Sequence, residues 1–409
     1  MMPTAPRILL ADADAFYVAV ARMIDPEGAG KEPLLIVGGS RESRGVVCSA
    51  SYETRRFGVR SAMPIARALR LCPDAMCVPV PRRACSVKSH EIRSVLERFS
   101  PVVEGASIDE WYLDMGGTEG VYHHEDLAVT AHRMRDAVRE ETGLTISVGG
   151  GTNKLVAKLA VERAKPSSGA SGVHIVPPGA EAEFLRTFAL AEIPLVGPKF
   201  QERLAALGMT RVPDVLQYNL PTLEAWLGKR EGQWLWDRVH GIGSSAVDPG
   251  GEAKSISRDE TFAHDLSDDR DLERELLALV TRAAFDMRSD GVAARTITVR
   301  IRDMDFRTRS ARRTLVEPVV SDRVLWRVAR ELLAKLRASR RVPARLLGVA
   351  LSSLGQDPEA DQLRLFESAS NSDSETERDR TLARAVDRVR EKFGRHSIGP
   401  ASLAEDETK

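Results

Sequence analysis

An α+β fold of several domains is predicted by three features of the sequence. Its 409 residues exceed the usual size of a single domain. Apolar residues recur at helical spacing in residues 126–141, whereas residues 8–10 form the short apolar run of a buried strand. Residues 297–302 alternate apolar and polar side chains, which is the period of a half-covered sheet. The composition, 43% hydrophobic and 29% charged, is that of an ordinary globular protein.

Two acidic sites stand beside predicted strands. Asp12 follows the apolar run 8–10, and Asp109-Glu110 lies between the apolar residues 102–103 and 111–113. Carboxylates in such places hold hard cations such as Mg²⁺, which prefer oxygen ligands. Three carboxylates suit a phosphoryl-transfer site with two divalent ions about 3.5–4 Å apart. The structural alternatives are a turn residue for Asp12 and a solvated hairpin tip for the acidic pair.

The limits of further elements follow from capping and breaking residues. Asp126 is predicted to be the cap or a first-turn acid of a helix that stops at Gly143, and Thr152 or Asn153 is predicted to cap the next helix. Residues 149–151 are three glycines without the spacing of a phosphate-binding loop, so a tight turn is predicted there.

Charge is unevenly distributed, although Lys+Arg and Asp+Glu are equal at 59 each. Residues 295–345 contain 15 Lys/Arg against 5 Asp/Glu, whereas residues 356–409 contain 9 against 13. In the alternating strand, Arg300 and Arg302 share the open face of the predicted sheet, where they could contact phosphates. This pattern is typical of a nucleic-acid-binding protein, although solvated helix faces explain part of the basic surplus.

The sequence gives no sign of a membrane or an oxidising compartment. No run approaches the ~20 apolar residues of a membrane span, and the start lacks a signal-peptide pattern. The four cysteines show neither paired metal spacing nor a disulfide framework. Reduced thiols and a cytoplasmic location, with no membrane partner, are therefore expected.

Several separate motifs resemble those of the Y-family DNA polymerases. Residues 12–17 resemble the opening Asp-x-Asp-x-Phe-aromatic motif, residues 48–64 the fingers signature, and residues 107–114 the Ser-x-Asp-Glu-x-x-Leu-Asp motif. Further matches follow in family order: Ser147-Val148-Gly149, Asn153-Lys154, Ala157-Lys158, Lys165-Pro166 and Lys254-Ser255-Ile256. The resemblance runs from about Arg7 to Leu354 and is greatest to the DinB branch.

This resemblance implies a right-hand polymerase. Its parts would be a palm of antiparallel sheet and helices, small fingers, a helical thumb with a helix-hairpin-helix, and an α/β little finger. The expected ranges are palm 1–15 and 81–175, fingers 16–80, thumb 176–243, linker 244–253, little finger 254–355 and C-terminal tail 356–409.

The resemblance also implies the chemistry of the site. Two Mg²⁺ ions would be held by three carboxylates and one carbonyl group: Asp12, Asp109, Glu110 and Ala13. The triphosphate would be contacted by three side chains: Tyr52, Arg55 and Lys165. Tyr17 would clash with a ribose 2′-hydroxyl, although the residues alone would make it a core aromatic. Asp14 and Asp114 are expected to brace the palm rather than bind metal.

Contacts with DNA are implied in the thumb and the little finger. Residues 193–199 resemble a helix-hairpin-helix that would meet a phosphate at Gly197 and Lys199, with a plain helix-helix turn as the alternative. The family usually has Gly where this chain has Leu195, so backbone approach there is expected to be poorer. In the little finger, four arginines are expected to contact DNA: Arg300, Arg302, Arg307 and Arg309.

The tail contains a segment that resembles the bacterial sliding-clamp peptide. Four of its residues would make the contacts: Gln362, Leu363, Leu365 and Phe366. Its leucine and phenylalanine side chains would enter an apolar groove on the clamp. Beyond it, residues 382–393 have helical spacing and end at Gly394, and a partner-binding helix is one option.

The function implied is that of a monomeric, error-prone translesion DNA polymerase that binds primer-template DNA and dNTPs and lacks proofreading. A non-catalytic adaptor between DNA and the clamp is the alternative, although such adaptors lose the three carboxylates. Another palm-domain nucleotidyl transferase or cyclase would need neither the little finger nor the clamp peptide. Departures from the family pattern at Ala21, Cys85 and Trp111 leave the rate and lesion preference open.

Overall fold

The computed structural model describes residues 5–40, 44–166, 169, 171–251, 253–356, 375–394 and 397–403. The predicted clamp peptide, residues 362–366, lies outside this set. The chain forms two compact units, 1–251 and 252–409. Within the described residues, no helix has the length and apolar content needed to cross a membrane.

The first unit contains two sheets and the helices around them. Its strands are β1 (Ile8–Ala13), β2 (Leu35–Gly38), β3 (Val47–Ala50), β4 (Met76–Pro79), β5 (Val103–Gly105), β6 (Glu110–Asp114), β7 (Ile146–Gly151) and β8 (Val173–Ile175). Its helices are α1 (Phe16–Ile24), α2 (Tyr52–Arg55), α3 (Ile65–Leu71), α4 (Arg82–Leu96), α5 (Leu127–Thr142), α6 (Lys154–Ala164), α7 (Glu181–Leu185), α8 (Pro198–Ala206), α9 (Val212–Val215), α10 (Leu220–Leu227) and α11 (Lys229–Val239).

The larger sheet has the order β5-β6-β1-β7-β8 and is antiparallel except between β7 and β8. Successive residues of β1 point to opposite faces. Leu9 packs in the core formed with α4 and α5, whereas Leu10 packs with Ala157 of α6 on the other face. Burial on both faces explains why β1 is an unbroken apolar run.

The predicted helix caps are confirmed. Asp126 accepts a hydrogen bond from the Ala128 N–H (2.8 Å), and α5 ends at Gly143 with φ 72°. Asn153 accepts a hydrogen bond from the Val156 N–H (3.1 Å) at the start of α6. Both helices therefore begin where a side chain satisfies an unpaired backbone donor.

The prediction of a tight turn at residues 149–151 was wrong, because these glycines are the last residues of β7. A Cβ atom on Gly149 would lie 2.1 Å from the backbone nitrogen of Val161, and one on Gly151 would lie 2.5 Å from Cγ1 of Val156. The glycines therefore allow α6 to lie directly against the sheet.

The smaller sheet, of order β3-β2-β4, packs with α3 in a separate core in the range expected for the fingers. Helices α7 to α11 and a 3-10 turn at Leu190–Glu192 surround another core in the range expected for the thumb. The expected α+β architecture is thus present in this unit.

The second unit is one antiparallel sheet, of order β11-β10-β12-β9, covered on one face by helices. Its strands are β9 (Ser255–Leu266), β10 (Val292–Asp303), β11 (Thr308–Val319) and β12 (Ala344–Gln356). Its helices are α12 (Asp269–Ser289), α13 (Asp322–Ser339) and α14 (Glu377–Phe393), with a 3-10 turn at Ala401–Leu403. The helix predicted at 382–393 is therefore present, begins earlier than expected, and ends before Gly394.

Candidate active site

The antiparallel register of β1 and β6 brings the acidic motifs together. Asp12 is paired directly with Glu110, and the Ala13 N–H donates to the Asp109 carbonyl (2.9 Å). Directly paired residues of antiparallel strands project from the same face. The Asp12 side chain is almost enclosed, since the residue is 5% exposed.

Two lysines, one in α6 and one at its C-cap, lie beside these carboxylates. Lys158 bonds to Glu110, and its Nζ is 3.8 Å from Oδ2 of Asp12. The Nζ of Lys165, two turns further on, is 3.0 Å from the same Oδ2. Lys158 belongs to the motif Ala157-Lys158 but had no predicted role, although a spacing of seven residues puts it on the same side of the helix as Lys165.

Burial dominates the electrostatics of Asp12. It raises the pKa of this carboxyl group to about 7, against the opposing charges of Lys165 and Lys158. For Lys165, burial would lower the pKa, but Asp12 and Glu162 outweigh it and hold the pKa above its ordinary value. A further cation at this site would favour the ionised form of Asp12.

The third predicted carboxylate, Asp109, directly precedes Glu110 in the chain and accepts a local hydrogen bond. The Ser107 hydroxyl donates to Oδ1 of Asp109 (2.5 Å). Among the described residues, no three His, Cys, Asp or Glu side chains are grouped closely enough to hold a metal ion. The donor set itself, three carboxylates and the Ala13 carbonyl, consists only of hard oxygen ligands and fits Mg²⁺.

The two neighbouring acids, Asp14 and Asp114, each accept a hydrogen bond within this part of the chain. The Ser147 hydroxyl donates to Oδ1 of buried Asp14 (2.7 Å), which links the ends of β1 and β7. The Gly116 N–H donates to Oδ1 of Asp114 (2.8 Å). The bracing role expected of these two acids stays a prediction.

Tyr52 and Arg55 lie together on the short helix α2. Ser51 caps this helix by accepting from the Thr54 N–H (3.3 Å). The Arg55 guanidinium lies 4.9 Å from the Tyr52 ring centroid, and its Nε donates to the Ala50 carbonyl (2.9 Å). Burial raises the pKa of Tyr52 to about 12, so its hydroxyl remains a hydrogen-bond donor at neutral pH.

Tyr17 lies on α1 between the cores of the two sheets. Its ring packs edge-to-face on Phe16, with centroids 5.6 Å apart. Burial, and then the charge of Asp109, raise the pKa of the Tyr17 hydroxyl above its ordinary value. The side chain is therefore held near the acidic motif.

The thumb segment 193–199 is a turn that leads into α8. Gly197 is the N-cap residue of α8, and both Gly197 and Lys199 are exposed. Leu195 has φ 72° and is 80% exposed. Its left-handed backbone explains why glycine suits this position.

The little-finger arginines do not all share one face. Arg300 and Arg302 project from the face of β10 opposite to the helices, and Arg307 is exposed in the turn before β11. Arg309 is paired with Ile301, so it points toward the helices, where Asp303 and Ser339 bind its guanidinium. The expectation that Arg309 presents a charge to DNA is therefore not met.

Comparisons with known proteins cover most of this chain. Residues 11–162 match the impB/mucB/samB family, residues 253–365 its C-terminal domain, and residues 191–243 the thumb domain of DNA polymerase-iota. DNA polymerase IV of Treponema denticola is 35% identical over 96% of this chain and 95% of its own length. DNA polymerase IV of Halorhodospira halophila is 37% identical over 85% of this chain and 95% of its own length.

Solved structures share the fold. A Y-family DNA polymerase chimera of Dbh and Dpo4 has a TM-score of 0.75 at 25% identity, over 86% of this chain and 100% of that one. An insertion ternary complex of Dbh DNA polymerase has a TM-score of 0.59 at 26% identity, over 85% of this chain and 98% of that one. DinB from Sulfolobus solfataricus has a TM-score of 0.57 at 27% identity, with the same coverage.

Proposed function

This chain belongs to the Y-family of DNA polymerases, and on that premise we propose that Asp12, Asp109 and Glu110 form its catalytic metal site. The chain is a template-directed, translesion DNA polymerase related to DNA polymerase IV. Its reaction adds a deoxynucleotide to the 3′-hydroxyl of a primer. The observation that supports the metal site best is the direct pairing of Asp12 with Glu110 beside Asp109.

Family membership implies dependence on a divalent metal, and we propose two Mg²⁺ ions held by the three carboxylates and the Ala13 carbonyl. Bound there, Mg²⁺ would lower the pKa of the primer hydroxyl and neutralise charge on the triphosphate. The oxygen-only donor set and the nearly enclosed Asp12 suit such an ion.

The remaining side chains would bind and orient the nucleotide. Arg55 offers a planar fork of N–H donors, Lys165 a compact charge and Tyr52 a hydroxyl donor, all suited to phosphate oxygens. Because Asp12 and Glu162 keep Lys165 protonated, it would carry its charge throughout the working pH range. The Tyr17 ring would exclude a ribose 2′-hydroxyl.

The chain's partners are primer-template DNA and dNTPs, and two solved structures of a neighbour are ternary complexes of Dbh, one of them an insertion complex of Dbh DNA polymerase, which supports this. We propose phosphate contacts at five residues: Gly197, Lys199, Arg300, Arg302 and Arg307. We also propose binding of the bacterial sliding clamp through Gln362, Leu363, Leu365 and Phe366. The monomeric state, the cytoplasmic location and the absence of proofreading belong to the same proposal.

A non-catalytic adaptor is not favoured, because all three metal-binding carboxylates are present and two of them are paired. The test is primer extension on undamaged and abasic templates with Mg²⁺ and all four dNTPs. Replacing Asp109 and Glu110 together by Ala should abolish extension and leave DNA binding intact. Glu140→Ala, an exposed acid of α5, is the control and should extend normally. Full extension by the double variant would refute the metal site, whereas an inactive wild-type chain that still binds DNA would support the adaptor.

A further inference from the structure

The open face of the second unit's sheet carries an acidic side chain in the row that contains Arg300. In the register of the sheet, Arg300 of β10 is paired with Ser310 of β11 and Gly348 of β12, and Gly348 is paired with Asp259 of β9. Directly paired side chains lie on the same face. Asp259 therefore projects from the face that is proposed to meet DNA phosphates.

Arg300 reaches Asp259 across the intervening strand. The Nη2 atom of Arg300 lies 3.5 Å from Oδ2 of Asp259, although β12 separates β10 from β9. A Cβ atom at Gly348 would lie 1.7 Å from Oδ1 of Asp259. Gly348 does not have a positive φ, so the lack of room for a side chain beside Asp259, rather than the backbone conformation, explains why this residue is glycine.

Arg302, two residues further along β10, has a different partner. Its Nε donates to the hydroxyl of Thr308 (2.9 Å), which is neutral. Of the two arginines on this face, Arg300 is thus held by a carboxylate and Arg302 by a hydroxyl group. A phosphate that approached Arg300 would have to replace the carboxylate, whereas one that approached Arg302 would not.

We propose that Asp259 competes with a DNA phosphate for the Arg300 guanidinium and thereby lowers the affinity of the little finger for DNA. The proposal rests on the proposed contact between this face and DNA. The pair is exposed, at 42% for the Arg300 side chain and 35% for that of Asp259, and exposed ion pairs are weak enough to be displaced. Asp259 would therefore promote release of DNA and limit the length of each synthesis event.

The test is the effect of Asp259→Asn on DNA affinity of the full chain, measured with a fluorescent primer-template across a range of salt concentrations. The substitution keeps the side-chain shape and removes its charge. Binding should become roughly threefold tighter, which corresponds to the free energy that an exposed ion pair contributes. Because Arg300 would be engaged with its phosphate in a larger fraction of the complexes, the slope of log affinity against log salt should steepen by part of the roughly 0.9 that one full phosphate contact contributes. An unchanged affinity and slope would overturn the proposal.

A matched control separates this effect from a general loss of negative charge. Glu331 of α13 binds Arg313 on the helix-covered side of the same sheet, at 2.8 Å between Oε2 and Nη2. Glu331→Gln also removes one carboxylate from an arginine, but Arg313 is paired with Ile297 of the core and points away from the open face. The salt slope should be unaffected. An equal steepening in this variant would overturn the proposal.

The double variant locates the effect at Arg300. Arg300→Gln should weaken binding and flatten the salt slope by the remaining part of that roughly 0.9, because the phosphate contact that the wild type makes in part is lost. Asp259→Asn should have no further effect in that background. If it tightens binding equally with and without Arg300, the competition is refuted while the DNA contact stands. If Arg300→Gln alone changes nothing, the DNA contact itself is refuted.

Discussion

Asp12 and Glu110 are directly paired across β1 and β6, and the ammonium group of Lys158 lies beside both carboxylates. Like charges placed opposite each other in antiparallel strands destabilise the sheet. Lys158 offsets this repulsion and orients the Glu110 carboxylate through a direct bond. The helix that packs behind the sheet thus contributes to the arrangement of the acidic site.

Replacing Lys158 by Ala should lower kcat by roughly 10- to 100-fold, because a side chain that orients a metal ligand is lost. The KM for dNTP should change little, and Lys158→Arg should restore part of kcat. Steady-state primer extension measures both constants. Lys154→Ala, one turn earlier and bonded to Glu104, is the matched control and should keep kcat. A wild-type kcat in Lys158→Ala would show that Lys158 does not position Glu110.

Tyr17→Ala should admit ribonucleotides, because removal of the ring leaves space for a 2′-hydroxyl. The measurement compares kcat/KM for a ribonucleotide and its deoxynucleotide in the variant and the wild type. Tyr17→Phe keeps the ring on Phe16 and should remain selective. Unchanged sugar selectivity in Tyr17→Ala would take this role away from Tyr17.

Leu195→Gly should stabilise the thumb. A left-handed backbone costs a residue with a Cβ atom about 1 kcal/mol, and the 80% exposed side chain offers little burial in return. Thermal unfolding should show a higher midpoint in the variant. Leu195→Ala keeps the Cβ atom and should show no gain. Equal midpoints for Leu195→Gly and the wild type would mean that the turn is not strained.

His174 should make the chain less stable in mild acid. Burial, and then the charge of Arg163, lower the pKa of this ring, which is stacked on Phe184 at 5.4 Å. Below about pH 6.5 the unfolded chain therefore binds a proton that the folded chain resists, and stability falls as pH falls.

The variant His174→Phe keeps a ring on Phe184 and has no group to titrate. The unfolding midpoint of the wild type should drop more than that of the variant between about pH 8 and about pH 5. His264→Asn, at an exposed position of β9, should behave as the wild type. The same acid sensitivity in His174→Phe would assign the effect to another group.

Local signals in the sequence were sufficient for the elements whose limits depend on nearby residues. Asp126 and Gly143 mark the two ends of α5 through contacts within a few residues, so both ends could be predicted from local residue preferences. The α+β division, the polymerase fold and the enzymatic function follow from ordered motifs, and the fold and the family are confirmed by the comparisons. The individual site roles and the domain limits stay predictions.

The rest depends on distant partners that periodicity cannot reveal. Arg309 was predicted to contact DNA, but the turn between β10 and β11 pairs Arg302 with Thr308, which puts the next residue toward the helices. The three glycines of β7 were predicted to form a turn. They are required because α6 packs closely against them, and this tertiary contact is not visible in the local sequence. The role of Lys158 likewise becomes visible only when α6 lies against the sheet.

Because the glycines at the end of β7 let α6 lie directly against the sheet, we expect the spacing between these two layers to affect catalysis. A methyl group at Gly149 would meet the backbone of α6 itself, which cannot yield as a side chain can. The helix would have to move outward and carry Lys158, together with Lys165 at its C-cap, away from the carboxylates on β1 and β6. A screen for inactive variants of this polymerase should therefore return substitutions at Gly149, a residue that has no side chain.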